Sequence, residues 1–187
     1  MITKLKNIKF AFLDRDGVIN RKPPEGQFVS RWNDFNLLPG VVSAIAMLNR
    51  SGIRAIVVSN QRGVALGRYT SDDVMAIHAR LQEHLAARGA HIDAFYFCPH
   101  DRGMCNCRKP GTGMFEQAFR DFPEATKANS VLIGDSISDI EAARNFGISS
   151  IFILGDPATR KAGADKAVSL ANAVSNSLSE AIDDHLS

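Results

Sequence analysis

Apolar residues gather in five short runs, Ile8–Leu13, Ile53–Val58, Ala94–Phe97, Val131–Ile133 and Ile151–Leu154. A strand with one wet face alternates apolar and polar positions, whereas a strand covered on both faces is apolar throughout. Several of these runs are continuous, which predicts a parallel sheet buried on both sides. Between them the period lengthens to that of a helix. Val41, Ile45 and Leu48 share one face, entered after Pro39-Gly40 and left at Ser51-Gly52. Val74, Ile77, Leu81 and Leu85 make a longer stripe, with Ser71 as the predicted N-cap and Gly89 past its end. Further helices are predicted at Met114–Phe122, at Asp139–Phe146 and within Ala171–Ile182. Alternation of this kind predicts an α/β fold, a Rossmann-like parallel sheet with helices on both faces. No repeat, low-complexity tract or linker-like stretch divides the chain, so residues 1–187 are expected to form one domain.

Composition narrows the classes of partner. Of 187 residues, 45% are hydrophobic and 22% charged, ordinary usage for a globular protein. Lys and Arg number 22 against 20 Asp and Glu, a net charge of +2 that is too balanced to suggest nucleic acid or an anionic membrane as partner. No run approaches the ~18 apolar residues of a membrane span. After the N-terminal lysines only Phe10–Leu13 are apolar, short of the roughly 7–15 residues of a secretory core. A cytoplasmic monomer is the expectation. The cysteines, Cys98, Cys105 and Cys107, are odd in number and lie in one short stretch, unlike a secreted disulfide framework.

In open α/β sheets, ligands bind beyond the carboxyl ends of the strands. The first run is followed by Asp14-Arg15-Asp16-Gly17 and the second by Ser59-Asn60-Gln61-Arg62-Gly63. The third leads into the cysteine stretch and Arg108-Lys109-Pro110, and the fourth into Gly134-Asp135-Ser136 with Asp139 beyond. Ordinary turn chemistry explains any one of these sets. It does not explain four in this order.

Phe12-Leu13-Asp14-Arg15-Asp16-Gly17-Val18-Ile19-Asn20, Val58-Ser59-Asn60-Gln61, Cys98-Pro99-His100 through Cys105-Asn106-Cys107-Arg108-Lys109-Pro110, and Gly134-Asp135 resemble the haloacid dehalogenase (HAD) superfamily. Within it they are similar to the zinc-containing branch of histidinol-phosphate and heptose-1,7-bisphosphate phosphatases. The resemblance implies a phosphatase without a large cap domain, a Mg²⁺ cofactor and a small phosphorylated sugar as substrate. A phosphate monoester dianion repels nucleophiles, so its hydrolysis needs charge neutralisation, an aligned nucleophile and an acid. Asp14 can attack phosphorus and form an aspartyl-phosphate. Asp16 can protonate the leaving alkoxide and later deprotonate water. Asp14 and Asp135 would hold Mg²⁺ through oxygen, joined, as the resemblance implies, by the backbone carbonyl of Asp16. Ser59 and Lys109 match the family's phosphoryl-oxygen ligands. Asp139 matches the superfamily's further acid and is read as a cap or tether of the following helix. Arg15, Lys22, Asn60, Gln61, Arg62 and Arg108 are expected to bind substrate. The aperiodic segment Arg21–Asn36, with Lys22, Arg31 and Trp32, is expected to shape the pocket.

Cys98-x-His100-x4-Cys105-x-Cys107 offers three thiolates and an imidazole, a closed tetrahedral set for Zn²⁺. A redox pair usually needs Cys-x-x-Cys, which is absent, and inert burial does not account for the histidine. The zinc would fold a short loop and hold Arg108 and Lys109 toward the phosphate.

The expected reaction removes the 7-phosphate of D-glycero-D-manno-heptose 1,7-bisphosphate, because Lys22, Arg31, Arg62 and Arg108 could serve a second phosphate. Histidinol phosphate or another small sugar phosphate is the alternative. Its amine and imidazole would need pocket acids, for which Glu25 and Asp34 are the loop candidates. A polynucleotide 3′-phosphatase would need a basic, aromatic-lined groove that +2 and one Trp do not suggest.

Overall fold

The strand at Phe10–Leu13 (β1) is buried along its whole length and is paired in parallel on both sides. Its neighbours are Arg54–Asn60 (β2) and Ser130–Gly134 (β4). The computed structural model describes residues 4–24, 26–160 and 162–186, so Glu25 lies outside the described residues. Ala94–Cys98 (β3), Ser149–Ile153 (β5) and Ala173–Ser175 (β6) complete a six-stranded sheet in the order β3-β2-β1-β4-β5-β6. Every pairing is parallel. Leu13 stands opposite Val57 and Ile133. That register brings the residues after β1, β2 and β4 to one end of three adjacent strands.

Consecutive strand residues face opposite sides, so each side of the sheet carries its own core. Ala11, Leu13, Val57 and Ile133 face the helices Val41–Arg50 (α1), Ser71–Ala86 (α2) and Leu178–His185 (α6). Phe10, Phe12, Val58 and Leu132 face Gly113–Asp121 (α3) and Ile137–Phe146 (α4). Phe12 meets Phe115 of α3 edge-on, with ring centroids 5.3 Å apart. Each side chain of this size contributes roughly 1.5–3 kcal/mol when buried. Among the described residues, no helix is long and apolar enough to cross a membrane.

Three local expectations are corrected. The N-cap of α2 is Thr70 rather than Ser71. Asp73 is three residues from Thr70, and the two exchange bonds: Asp73 N to Thr70 Oγ1 at 3.1 Å and Thr70 N to Asp73 Oδ2 at 2.8 Å. The stretch Ala171–Ile182 begins with β6, not a helix, and α6 starts only after Ser177. A seven-residue helix, Ala164–Leu170 (α5), precedes it. Trp32 does not project into a pocket. It stacks on Phe35 with centroids 5.2 Å apart and lies 6.0 Å from the His84 ring of α2, anchoring its loop to that helix.

Candidate active site

Lys109 is the hinge of the site. Its ammonium donates to Asp14 Oδ1 at 2.8 Å and to the Val58 carbonyl at 2.7 Å, and lies 2.6 Å from Asp139 Oδ1. Burial alone would pull a lysine down. The carboxylates of Asp139 and Asp14 outweigh it and hold the group above the usual lysine range. Asp14 itself, whose N–H is fixed on the Ile133 carbonyl, is pushed up to about 6 by burial, against the pull of Lys109 and with Asp139 and Asp135 adding to the rise. A carboxylate so placed is poised to accept a further cation. Asp139 also caps α4, its Oδ2 accepting from Ser136 N at 3.0 Å and Ser136 Oγ at 2.5 Å. It is therefore a cap, as the sequence suggests, and also the anchor of Lys109, which the sequence reading missed.

Asp16 sits in a ring of donors. Arg15 Nη2 reaches both of its oxygens at 3.1 Å, Asn20 Nδ2 donates at 2.9 Å and Gln61 Nε2 at 3.1 Å. Burial raises its pKa, but Arg15 and these hydrogen bonds together outweigh burial and leave it below the usual carboxylate range. Gln61 also donates to Ser59 Oγ at 2.7 Å and accepts from the Tyr69 hydroxyl at 2.7 Å. Ser59 is thereby an acceptor toward Gln61, which leaves its own O–H to donate.

Among the described residues, two clusters could hold metal. Ligand oxygens of Asp14, Asp135 and Asp139 lie within 4.8 Å of one another, an all-oxygen set suited to a hard cation. Asp139 is engaged by Lys109 and Ser136, so Asp14 and Asp135 are the fitting ligands. Gly17 makes room for this arrangement. It has φ +103°, and a Cβ there would fall 2.1 Å from Asp135 Oδ2. In the second cluster, Cys98 Sγ lies 3.5 Å from Cys105 Sγ and 3.7 Å from His100 Nδ1. Cys107 Sγ is 3.3 Å from both Cys105 Sγ and His100 Nδ1. The edges of a tetrahedron with bonds of about 2.3 Å are close to these lengths.

A cleft of about 590 Å³ opens over Asp14, Asp16 and Lys109, lined also by Arg102, Arg108, Ser136 and Ser138. A HAD-hydrolase-like family model matches residues 106–181 of the chain. Over 135 residues, 72% of this chain and 70% of its relative, the chain is 44% identical to the D-glycero-alpha-D-manno-heptose-1,7-bisphosphate 7-phosphatase of Mycobacterium bovis. The chain belongs to the heptose-1,7-bisphosphate phosphatase family of the HAD superfamily. The beta-anomer enzyme of Rhodopseudomonas palustris is 39% identical over 154 residues, 78% of this chain and 83% of its own. The D,D-heptose 1,7-bisphosphate phosphatase of B. bronchiseptica, a crystal structure complexed with magnesium and phosphate, superposes with a TM-score of 0.81 at 28% identity. That match covers 94% of this chain and 97% of the other.

Measured against the roles expected in this heptose-bisphosphate phosphatase family, several residues take different ones. Arg15 is fully buried beneath the Phe35 ring and holds Asp16 and Gln61 instead of facing the cleft. Gln61 is likewise buried, with both ends of its amide engaged. Asn60 lines the cleft, but its amide clasps the Lys109 backbone, accepting from its N–H and donating to its carbonyl, each at 3.0 Å. Arg62 turns away to Asp101, Nε to Oδ1 at 2.5 Å. Lys22 reaches the Asp135 carboxylate at the metal end. Arg31 pairs with exposed Asp34 at 3.2 Å, outside the catalytic cleft. Arg108 lines the cleft, as does Arg102, which the sequence did not single out. The segment around Lys22 encloses a separate hollow of about 420 Å³ and meets the Asp135 carboxylate through Lys22.

Proposed function

We propose that the chain hydrolyses the 7-phosphate of D-glycero-D-manno-heptose 1,7-bisphosphate through an aspartyl-phosphate on Asp14, with magnesium as cofactor. The single observation that carries this is the Asp14–Lys109–Asp139 contact at the floor of the cleft, 2.8 and 2.6 Å, with Asp135 beside it. The Asp14 oxygen not bound to Lys109 attacks phosphorus as the bond to the sugar oxygen breaks, and Asp16 delivers a proton to that alkoxide. Water then attacks the phosphoryl group, Asp16 takes its proton, and the Asp14–phosphorus bond breaks to release phosphate. The donors around Asp16 favour its ionised form, which suits the second step. The incoming phosphate charge raises its proton affinity for the first. Lys109 and the Ser59 O–H neutralise equatorial oxygens. Magnesium on Asp14 and Asp135 supplies Lewis-acid charge neutralisation when bound.

Cys98, His100, Cys105 and Cys107 are read as ligands of a structural zinc, supported by their near-tetrahedral spacing. Its function is to shape the loop that ends in Lys109. Residues 1–187 act as one unit, a cytoplasmic monomer that serves a small molecule and neither nucleic acid nor membrane. The charge balance of +2 supports that reading.

Steady-state assays on heptose 1,7-bisphosphate, heptose 7-phosphate and histidinol phosphate test the substrate. The bisphosphate should have the highest kcat/KM, and faster turnover of histidinol phosphate would overturn the assignment. Asp14→Asn should fall below about a hundredth of wild-type turnover and form no phosphoenzyme.

A further inference from the structure

Arg102 and Arg108 line the cleft that holds Asp14 and Lys109. Both stand on the loop between Cys98 and Lys109, one on each side of the Cys105–Cys107 pair. Among the described residues, no carboxylate pairs with either guanidinium, whereas Lys109 between them and the floor is matched by two. Asp101 would be the natural partner of Arg102. Its carboxylate is instead held by Arg62, Nε to Oδ1 at 2.5 Å and Nη2 to Oδ2 at 3.4 Å. The same Oδ1 accepts the Arg102 backbone N–H at 2.6 Å. The strap thus fixes the Arg102 main chain and leaves its side chain unneutralised. Two guanidinium groups that line one cleft, neither ion-paired with a carboxylate among the described residues, favour an anion between them. The reacting phosphate already has Lys109 and Ser59, so this surplus suits a second one.

We propose that Arg102 joins Arg108 in a two-guanidinium clamp for the non-reacting phosphate, and that Arg102 sets the preference for a bisphosphate over a monophosphate. The proposal rests on the heptose-bisphosphate reading above and adds to it the residue and the strap. Paired arginine forks match phosphate oxygens in direction as well as charge. Arg62 is then a positioning residue acting through Asp101.

The test compares heptose 1,7-bisphosphate with heptose 7-phosphate in wild type, Arg102→Ala, Arg102→Lys and Asp101→Asn. Arg102→Ala should lower kcat/KM for the bisphosphate about 10- to 100-fold, chiefly through KM, and change the monophosphate by no more than about twofold. Arg102→Lys should recover part of the loss. Asp101→Asn should shift the bisphosphate KM in the same direction with the monophosphate unmoved. Equal losses on both substrates, or no loss on either, overturn the clamp. Should the melting temperature show that Arg102→Ala is misfolded, Arg102→Gln, which keeps the chain length, is held to the same two outcomes. A wild type that does not favour the bisphosphate overturns the substrate reading itself and the proposal with it, a result independent of any Arg102 variant.

Discussion

Lys109 Nζ lies 2.6 Å from Asp139 Oδ1, with both side chains only 1% exposed. Removing one partner of a buried pair leaves a charge without compensation, a loss of about 3–5 kcal/mol where no other group steps in. Asp14 remains beside Lys109, so Asp139→Ala is expected at the lower end, about 3 kcal/mol by urea denaturation. The ammonium would then keep Asp14 as its one carboxylate, beside the Val58 carbonyl, and kcat at saturating magnesium should fall at least about 100-fold. Asp139→Asn keeps a single acceptor oxygen, which can serve Lys109 or Ser136 but not both, and should lose less than Asp139→Ala. Wild-type kcat in Asp139→Ala would remove its tethering role.

Gly17 permits the Asp135 carboxylate to approach the loop after β1. Gly17→Ala would place a methyl 2.1 Å from Asp135 Oδ2 at a backbone φ of +103°. Asp135 must move away, and the magnesium concentration for half-maximal activity should rise about tenfold or more. Titrating activity against magnesium reads this directly. An unchanged midpoint would show that Asp135 is not a ligand.

The four-residue sulfur and nitrogen cluster should yield one equivalent of zinc per chain by elemental analysis, retained through purification. Because such a metal contributes to local folding, Cys105→Ala should lose the zinc and lower kcat through displacement of Lys109. Protein free of zinc with three fully reactive thiols would reject the assignment.

His78 is buried against β3. Its ring lies on Phe95 at 4.5 Å, its Nε2 is buried without a hydrogen bond, and burial, then the charge of Arg15, pushes its pKa down to about 3. The unfolded chain takes up that proton near 6.5 while the folded chain does not. Stability is therefore intact above about pH 6.5 and falls as the pH drops toward 3, by up to about 1.4 kcal/mol per pH unit from this group. His78→Phe should remove that slope between pH 6 and 4.5 in urea melts. A difference between wild type and variant that does not change with pH would exclude the effect.

Chemistry confined to a few neighbouring residues could be read from the chain alone. The proposed zinc ligands span Cys98 to Cys107, and Asp14 and Asp135 follow apolar runs whose lengths mark them as strands. Long-range pairing could not be read in the same way. Nothing local says that Arg62 meets Asp101 or that Asp139 reaches Lys109, because the sheet order decides both. Arg15 misleads because a guanidinium is seldom fully buried, and only the Asp16, Gln61 and Phe35 around it explain why this one is. Three-residue β6 has no pattern of its own and exists by pairing with β5, Ile151 opposite Ala173. Tyr69 carried no signal beyond being aromatic.

The central place of β1 has a consequence for synthesis on the ribosome. A nascent chain that ends before Ser130 already contains Asp14, Asp16, Ser59 and Lys109, yet β1 has β2 on one side and nothing on the other, since β4 has not been made. The strand edge left open is Phe10–Leu13, which the finished protein buries completely. Such an edge templates pairing with other chains. The same few residues, Ser130–Gly134, close that edge and deliver Asp135 to Asp14. Covering of the β1 edge and placement of Asp135 beside Asp14 therefore arrive together.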